Sequence, residues 1–485
     1  MQLIIRVPTW LKVTAGVMLG LGVILAYVGW ERFLREYPGQ VFDDPTERFK
    51  YGSIGAEQDA GIPYWIFYVL PRVFSDKLPG PGGYASFGVA WEPGRELPIG
   101  FSKKRIGFDR VANNCAVCHT ASYRVKHHSD PVLVPTGPNH TLDLEAFFRF
   151  LVDCAKDPRF HPDTLMPEIN LAADLDWIDR LAYRYLIIPI TRKRLIEREE
   201  QFEWIYRHDF PEWGRGRDDA MNLTKYFMIR WPMDDSFGPT DMPSIWNLKK
   251  YRHELGHRMN FAGDSHDAYS VIIDSALGLM GAEPKDQDDF LEHIDWLHDY
   301  LSKKRPPAYP FAIDRDLAQQ GKQLFASTCS SCHHSTRTGQ IIPIEEIGTD
   351  RGRMETWSRQ AAIEANKVVE EMGIERLGLV EEPLSGYVAQ FLDGIWLRAP
   401  YLHNGSVPTL YDLLLPAEQR PVQFYRGYNV YDPDKVGFVT AGDEARLSGT
   451  LHDTRERANS AAGHDFAAAL STEQRLALLE YLKTL

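Results

Sequence analysis

The chain has 485 residues, of which 44% are hydrophobic and 25% are charged. This is the composition of a globular protein with two or three domains, and it excludes a largely disordered chain. The formal net charge of −13 at pH 7 disfavours nucleic acid as a partner and favours a protein partner with a basic surface.

An uncharged stretch lies close to the N-terminus, at residues 13–30. It is just long enough to span a bilayer. A cleaved signal peptide is the alternative, but an Ala-x-Ala cleavage site is absent and the run is longer than a usual signal core. Arg6 and Lys12 precede the stretch, which places the N-terminus in the cytoplasm. We therefore predict a membrane anchor at residues 1–31, in a bacterial inner membrane, with the main domains in the periplasm.

The next segment, residues 32–83, is rich in aromatic residues, proline and glycine. It has no sustained periodicity, so we predict a wrapping segment with short helices. Residues 101–108 are predicted to form a loop or a short helix. They lead into the first of two cysteine motifs.

Two Cys-x-x-Cys-His pentads use four of the five cysteines. In each, two thiols would bond the vinyl groups of a c-type haem and the histidine would ligate its iron. A zinc site would need two more ligands and no further cysteine pair exists, while a thioredoxin-like redox pair would need a βαβ pattern. We therefore predict two covalently bound haem c groups, attached through Cys115, Cys118 and His119 and through Cys329, Cys332 and His333.

Between the pentads, apolar residues at helical spacing predict three helices, at residues 142–157, 173–188 and 191–206. The second is predicted to stop at Pro189. The third places Leu195, Phe202 and Tyr206 on one face. Together they are predicted to form an inserted helical layer, in which Cys154 is a buried free thiol.

The second half of the chain has the pattern of a small class I cytochrome c. Three helices are predicted, at residues 286–304, 313–325 and 472–485. The first ends at Pro306 and Pro307, the second enters the second pentad, and the third is the terminal helix that crosses it. We predict a C-terminal haem domain at residues 306–485 and an N-terminal one at residues 84–305, which holds a decorated version of the same frame closed by the 286–304 helix. Strand signals are few, so the predicted fold class is mainly α, with two cytochrome c-like haem domains, helical insertions and one transmembrane helix.

The sixth ligand decides what each iron can do. In class I cytochromes it arrives just before the C-terminal helix, where this chain has His464. We predict that His464 closes the second haem opposite His333, with His403 and His452 as rival ligands and a surface histidine as the other interpretation.

For the first haem, Met280 occupies a comparable place before the 286–304 helix. A bound Met280 would saturate the iron that His119 holds, whereas a free Met280 would leave that iron open to oxygen or peroxide.

Three segments of the chain, at residues 238–247, 398–410 and 463–466, resemble those of dihaem c-type cytochromes related to the rubber oxygenases. That group is distantly related to bacterial dihaem cytochrome c peroxidases. The resemblance covers residues 84–485 and is specific for the family but not for a substrate. It implies a reactive N-terminal haem with an open or oxygen-bearing distal side and a C-terminal haem that stores or relays an electron.

The resemblance also implies roles for two aromatic residues. Trp246 matches a tryptophan near or between the haems, and Phe261 matches a phenylalanine over the reactive iron. Each could equally be part of the core. An apolar lid protects bound oxygen, whereas a distal base and a cation favour peroxide chemistry. Polar candidates lie nearby in sequence, namely Glu254, His257, Arg258 and His266.

The sequence therefore predicts a membrane-anchored periplasmic dihaem cytochrome that exchanges electrons with a periplasmic redox partner and activates oxygen or hydrogen peroxide. The tether distinguishes it from the secreted rubber oxygenases and disfavours an extracellular polymer as substrate. The alternatives are a pure electron carrier with both haems six-coordinate and a haem-based sensor, for which no signalling domain is visible.

Overall fold

The computed structural model describes residues 8–284 and 287–485, without the side chains of Gln201 and Phe202. Arg6, the predicted helix start at Asp286 and the predicted packing of Phe202 therefore lie outside the described residues. About 45% of the chain is helical and 11% is in strands, so the fold is mainly helical, as predicted.

Ten helices are described before residue 305. They are α1 (Thr9–Phe33), α2 (Pro45–Tyr51), α3 (Tyr64–Val73), α4 (Leu144–Lys156), α5 (Pro162–Ala172), α6 (Trp177–Ala182), α7 (Ile188–Phe202), α8 (Ala220–Phe227), α9 (Ala268–Gly278) and α10 (Gln287–Ser302). The described helices after residue 305 are α11 (Arg315–Thr328), α12 (Ser330–His333), α13 (Ile344–Ile347), α14 (Gly352–Thr356), α15 (Arg359–Glu371), α16 (Leu410–Leu413), α17 (Asp443–Ser448) and α18 (Thr472–Leu482).

The strands are short and pair antiparallel. They are β1 (Ile62–Pro63), β2 (Phe101–Ile106), β3 (Phe108–Asn113), β4 (Thr120–Tyr123), β5 (Val132–Pro135), β6 (Arg217–Asp218), β7 (Thr240–Asp241), β8 (Ile341–Pro343), β9 (Gly386–Val388), β10 (Gln423–Arg426), β11 (Tyr431–Asp432), β12 (Gly437–Phe438) and β13 (Thr450–Asp453). One sheet has three strands in the order β1-β3-β2, and the others are the pairs β4-β5, β6-β7, β8-β9, β10-β13 and β11-β12.

Helix α1 is the one described helix that is long and apolar enough to cross a membrane. It extends beyond the predicted stretch at both ends, and its side chains are exposed over the apolar window. Membrane anchors and signal sequences share this length and composition, so both predicted alternatives remain.

The prediction of a loop or short helix at residues 101–108 is wrong. These residues form β2 and the start of β3, joined by a turn at Gly107 with φ +71°. The basic residues inside β2 have acidic partners in the fold. Lys103 lies 2.5 Å from a carboxylate oxygen of Glu96, and Lys104 lies 2.5 Å from one of Glu36.

The inserted helices are present, but the predicted stop at Pro189 is wrong. The backbone stays helical from α6 through α7, with a π-helical turn at Tyr183–Ile187 between them. Pro189 lacks an N–H and falls in the first turn of α7, where the wider turn before it removes the need for that hydrogen bond. Leu195 and Tyr206 pack partly buried against the main core, and Cys154 is a buried free thiol, as predicted.

The predicted C-terminal frame is confirmed. Helix α11 leads directly into Cys329, and α18 packs against α11. The two helices pack closely at Gly321, where an added Cβ would lie 1.9 Å from the carbonyl oxygen of Ala477. Only glycine permits this crossing.

The first pentad does not repeat that frame. Strand β3 leads into it instead of a helix, and the closing helix α10 packs against α9. Contacts between the two halves are extensive, since Tyr123 and Trp246 belong to the same buried cluster as Trp396. The domain boundary near residue 305 stays a prediction.

Candidate haem sites

The first pentad begins with a single 3-10 turn, Cys115–Val117, that is held on both sides. The Asn114 side chain accepts the Ala116 N–H at 2.9 Å and donates to the carbonyl of Gly52 at 2.9 Å. Gly100 packs so closely that an added Cβ would lie 2.2 Å from the backbone nitrogen of Val117. Contacts with the backbone of Gly52 and with Gly100 therefore hold the first pentad in position.

His119 is oriented by the carbonyl of Pro243, which lies 2.7 Å from its Nδ1. A proton on Nδ1 leaves Nε2 free to bind a metal, and such a partner also raises the basicity of the ligand. Burial lowers the pKa of His119 to about 4, so the ring is neutral at pH 7, which is the form that ligates iron.

His333 in the second pentad is held in the same way. It ends the short helix α12, and its Nδ1 lies 2.8 Å from the carbonyl of Gln390. Burial lowers the pKa of this ring as well. In both pentad histidines, Nε2 is therefore the ring nitrogen that is available to bind a metal.

The ring of His464 faces the ring of His333. Their centroids are 6.2 Å apart and their planes are inclined by 50°. Two imidazoles that bind one metal ion from opposite sides, with metal–nitrogen bonds of about 2.0 Å, have ring centroids about 6.3 Å apart. The two histidines and the thiols of Cys329 and Cys332 therefore fit a haem c group, although ligation by His464 stays a prediction.

The loop that carries His464 is strained and firmly held. The residue has φ +55°, an uncommon conformation for a side chain other than glycine. Its N–H donates to the carbonyl of Ile347 at 2.8 Å, and Arg420 donates to the carbonyls of Ala461 and Gly463 at 2.6 and 2.7 Å. Burial, followed by the proximity of His333, lowers the pKa of His464 to about 3.

The rival ligands lie elsewhere. His403 stacks on Tyr387 with centroids 4.0 Å apart, and His452 packs beside Phe424 at 5.0 Å. Each is buried, with an Nε2 that has no hydrogen-bond partner in the described structure. Burial lowers the pKa of both rings. Neither ring contacts His333, so the geometry favours His464 among the three.

The surroundings of His119 in the first pentad differ from those of His333 in the second. In the described part of the chain no other aromatic or histidine ring stands opposite His119 at the separation seen for His333 and His464. Met280 is buried in the cluster that Cys115 joins, and its sulfur lies 3.2 Å from the Nδ2 of Asn113, which donates to it. The sequence did not point to Asn113. Whether Met280 binds iron stays a prediction.

Trp246 lies between the backbone segments that hold the two pentad histidines. Its Nε1 donates to the carbonyl of Asp393 at 3.0 Å, and the guanidinium of Arg398 lies 5.7 Å from its ring. Pro243 is three residues before Trp246, and Gln390 is three residues before Asp393. The place of Trp246 near or between the haems and its role in catalysis stay predictions.

Phe261 is surrounded by residues of the second half of the chain. It is half-buried beside Ile344, Met354 and Tyr387, and its ring centroid is 6.5 Å from that of His403. Its carbonyl accepts the N–H of Val388 at 2.8 Å. The structure therefore brings Phe261 to His403, and its predicted place over the first iron is untested.

Of the four polar residues near Phe261 in sequence, none is fully buried. Glu254 is exposed and lies 3.5 Å from His253, while His257 contacts the backbone of Lys250. Arg258 and His266 are half-buried.

Sequence reasoning missed a set of buried polar residues around the site. Asn139 donates to the carbonyl of Val117 at 2.7 Å, and the adjacent His140 stacks on Phe438 with centroids 3.5 Å apart. Both ring nitrogens of His140 are buried without a partner in the described structure. Burial lowers its pKa to about 3. No local motif marks these residues, because their contacts come from distant parts of the chain.

Comparison with known proteins matches one segment of the chain to a cytochrome family and finds two relatives. Residues 386–426, which include Gln390, Arg398 and His403, match the family described as RoxA-like, cytochrome c-like. The chain is 32% identical to the uncharacterized protein y4iM of Sinorhizobium fredii, over 50% of this chain and 64% of that protein. It is also 32% identical to the uncharacterized protein y4iJ of the same organism, over 88% of this chain and 86% of that protein. The chain therefore belongs to one family with y4iJ, and the matched segment supports a c-type cytochrome related to the rubber oxygenases, with covalently bound haem c.

Proposed function

We propose that this protein is a membrane-anchored periplasmic cytochrome with two haem c groups, which exchanges electrons through the C-terminal haem and activates oxygen or hydrogen peroxide at the N-terminal one. The observation that carries the proposal is the difference between the two pentads. His333 faces His464 at the separation expected for two ligands of one iron, whereas the described structure places no such ring opposite His119.

Haem iron supplies electron transfer when both axial positions are filled, and it supplies reaction with oxygen or peroxide when one position is open. The protein would hold one haem through Cys115, Cys118 and His119. It would hold the other through Cys329, Cys332, His333 and His464. The carbonyls of Pro243 and Gln390 keep Nδ1 of each proximal ring protonated, so that Nε2 is directed to the metal.

Trp246 supports electron exchange between the two sites. Hydrogen bonds link the His119 ring to Pro243, the Trp246 ring to Asp393 and the His333 ring to Gln390. Two short backbone stretches complete a continuous connection from one proximal histidine to the other. Trp246 is the buried residue of this connection, whereas the two backbone stretches are half-buried and Pro243 is exposed.

The surroundings of Met280 favour an open position at the first site. The Asn113 amide donates to the Met280 sulfur and occupies one of its two lone pairs, so that ligation of iron would depend on the other. The second candidate function, a pure electron carrier, is favoured by the burial of Met280 in the same cluster as Cys115, which places a thioether close to the first haem attachment.

The membrane location rests on α1, and the periplasmic location rests on the haem pentads, since c-type haem is generally attached outside the bacterial inner membrane. The net charge of −13 supports a redox partner with a basic surface. A small hydrophobic substrate fits this location better than an extracellular polymer.

Carbon monoxide binding to the reduced protein tests the proposal. We expect half of the total haem to bind carbon monoxide in the wild type and in Met280→Leu, and all of it in His464→Ala. If Met280 closes the first site, the wild type will bind none and Met280→Leu will bind half, which supports the electron carrier. Electron paramagnetic resonance of the oxidised protein provides an independent count of low-spin haem. One low-spin haem with two histidine ligands supports the assignment of His464, and its persistence in His464→Ala contradicts it.

A further inference from the structure

The inserted helical layer carries an exposed apolar surface that no contact in the described structure covers. Its members are 48% to 77% exposed, unlike the buried apolar residues on the other side of the same helices. We call this surface the apolar patch, and it consists of Leu171, Trp177, Leu181, Tyr185, Leu186 and Ile190. Trp177, Leu181 and Tyr185 follow at intervals of four residues, so they lie along one side of the helix. A cluster of this kind indicates an interaction site.

The apolar patch is tied to the end of α1 by two ion pairs. The guanidinium of Arg32 lies 2.8 Å from a carboxylate oxygen of Asp176 and 2.7 Å from one of Asp179. Trp177 stands between these two aspartates in the sequence. The patch is therefore held beside the point where α1 meets the body of the protein.

The chain after α1 is also fixed to the body. The N–H of Gly107 donates to the carbonyl of Arg35 at 2.7 Å, and the N–H of Tyr37 donates to the carbonyl of Arg105 at 3.0 Å. A flexible linker between α1 and the body is thus absent from this part of the structure. If α1 spans a bilayer, the patch has to lie at the bilayer surface, on the side of the membrane where the C-terminal end of α1 emerges.

We propose that the apolar patch inserts into the interfacial region of the membrane that α1 spans, an inference that rests on the proposed anchoring by α1. Tryptophan and tyrosine are the side chains that prefer the level of the lipid headgroups, and leucine and isoleucine fill the acyl boundary below it. Arg180 and Arg184 line a groove with Trp177 and Leu181.

Two arginines lie beside the patch and are partly exposed. Arg180 lies 3.7 Å from Asp174, and Arg184 pairs with Asp163. Arginine side chains can extend from such a position towards lipid phosphates while their stems cover apolar surface. Two attachments, α1 and the patch, would fix the orientation of the haem-bearing body relative to the membrane.

Site-directed cysteine labelling of the full-length holoprotein in vesicles of phosphatidylethanolamine and phosphatidylglycerol tests this inference. The pentad cysteines are bonded to haem and Cys154 is fully buried, so an introduced thiol is the reactive one. The reagent is a charged maleimide that does not cross membranes. The variants are Leu181→Cys in the patch, Leu447→Cys on an exposed surface after residue 305, and Leu19→Cys inside α1.

We expect Leu181→Cys to react several-fold more slowly than Leu447→Cys, with Leu19→Cys almost unreactive. Equal rates for Leu181→Cys and Leu447→Cys, with Leu19→Cys still protected, would show that the patch faces water and would overturn the inference while α1 remained an anchor. Free reaction of Leu19→Cys would overturn both. Efficient cross-linking between two Leu181→Cys chains by a short bifunctional reagent would identify the patch as an interface between copies and would also overturn the inference.

Discussion

The close crossing of α11 and α18 can be tested by the addition of a single methyl group. In Gly321→Ala the new Cβ would lie 1.9 Å from the carbonyl oxygen and 2.6 Å from the carbonyl carbon of Ala477. Unstrained contacts between heavy atoms are about 3.5 Å or longer, so the helices must separate by at least about 1 Å. The obstacle is backbone, which cannot rotate away as a side chain would.

The expected cost follows from two opposing terms. Overpacking of this kind costs about 3 kcal/mol, while replacing glycine by alanine inside a helix returns about 1 kcal/mol. We therefore expect the free energy of unfolding to fall by about 2 kcal/mol. Because α11 leads into Cys329 and α18 follows the His464 loop, the absorption and Soret circular dichroism of the second haem should change as well.

Denaturant unfolding followed by far-ultraviolet circular dichroism measures this change. Two controls separate it from general effects. Gly39→Ala adds a methyl group where nothing lies within 4 Å, and Gln320→Ala alters the exposed residue next to Gly321 on the same helix. Both should stay within about 0.5 kcal/mol of the wild type. A Gly321→Ala protein as stable as these controls would refute the close crossing.

Three further predictions concern buried groups. Asp241→Asn leaves the buried guanidinium of Arg426 without its charged partner, so we expect a loss of about 3 kcal/mol in denaturant unfolding, and a neutral result would contradict the pairing. Burial raises the pKa of Glu145 to about 7, against about 4.3 in an unfolded chain, so the native state keeps a proton that the unfolded state releases. The free energy of unfolding should therefore fall as pH rises from about 4.3 to 7. Glu145→Gln can still accept the Trp213 N–H and should weaken that decline. A pH profile that the substitution leaves unchanged would show that Glu145 is not the source of the decline. Phe261→Ala should keep its haem content but change the rates of reaction with oxygen or peroxide, and unchanged rates would remove Phe261 from the site.

Helices were predictable wherever local periodicity determines them. Residues 142–157, 286–304, 313–325 and 472–485 all showed the spacing of apolar residues that the structure buries. The strand at residues 101–106 was not predictable in this way, because it is charged in its middle and Lys104 finds its ion-pair partner, Glu36, far back in the chain. The continuation of the helix through Pro189 depends on a π-helical turn, which sequence periodicity does not indicate.

The pentads could be predicted as haem attachment sites because the chemistry of attachment is contained in five consecutive residues. The groups that orient the histidines were not, since Pro243 and Gln390 act through backbone carbonyls that any residue could supply. His464 was predicted as an iron ligand because it lies in the sequence just before the terminal helix. The environment of Phe261 was missed, because its neighbours come from strands and short helices after residue 305.

The arrangement of the two sites has a consequence for how they can differ. Hydrogen bonds join His119 to Pro243, Trp246 to Asp393 and His333 to Gln390, and the buried pair of Arg426 with Asp241 crosses the predicted domain boundary. A hinge motion between the halves would break such buried contacts, and the loss of a buried charged pair costs several kcal/mol. Both proximal histidines have the same kind of partner, a backbone carbonyl at Nδ1. If each pentad holds a haem as proposed, a difference in reactivity between the two would come from the opposite side of each haem, for which His464 and Met280 are the proposed candidates.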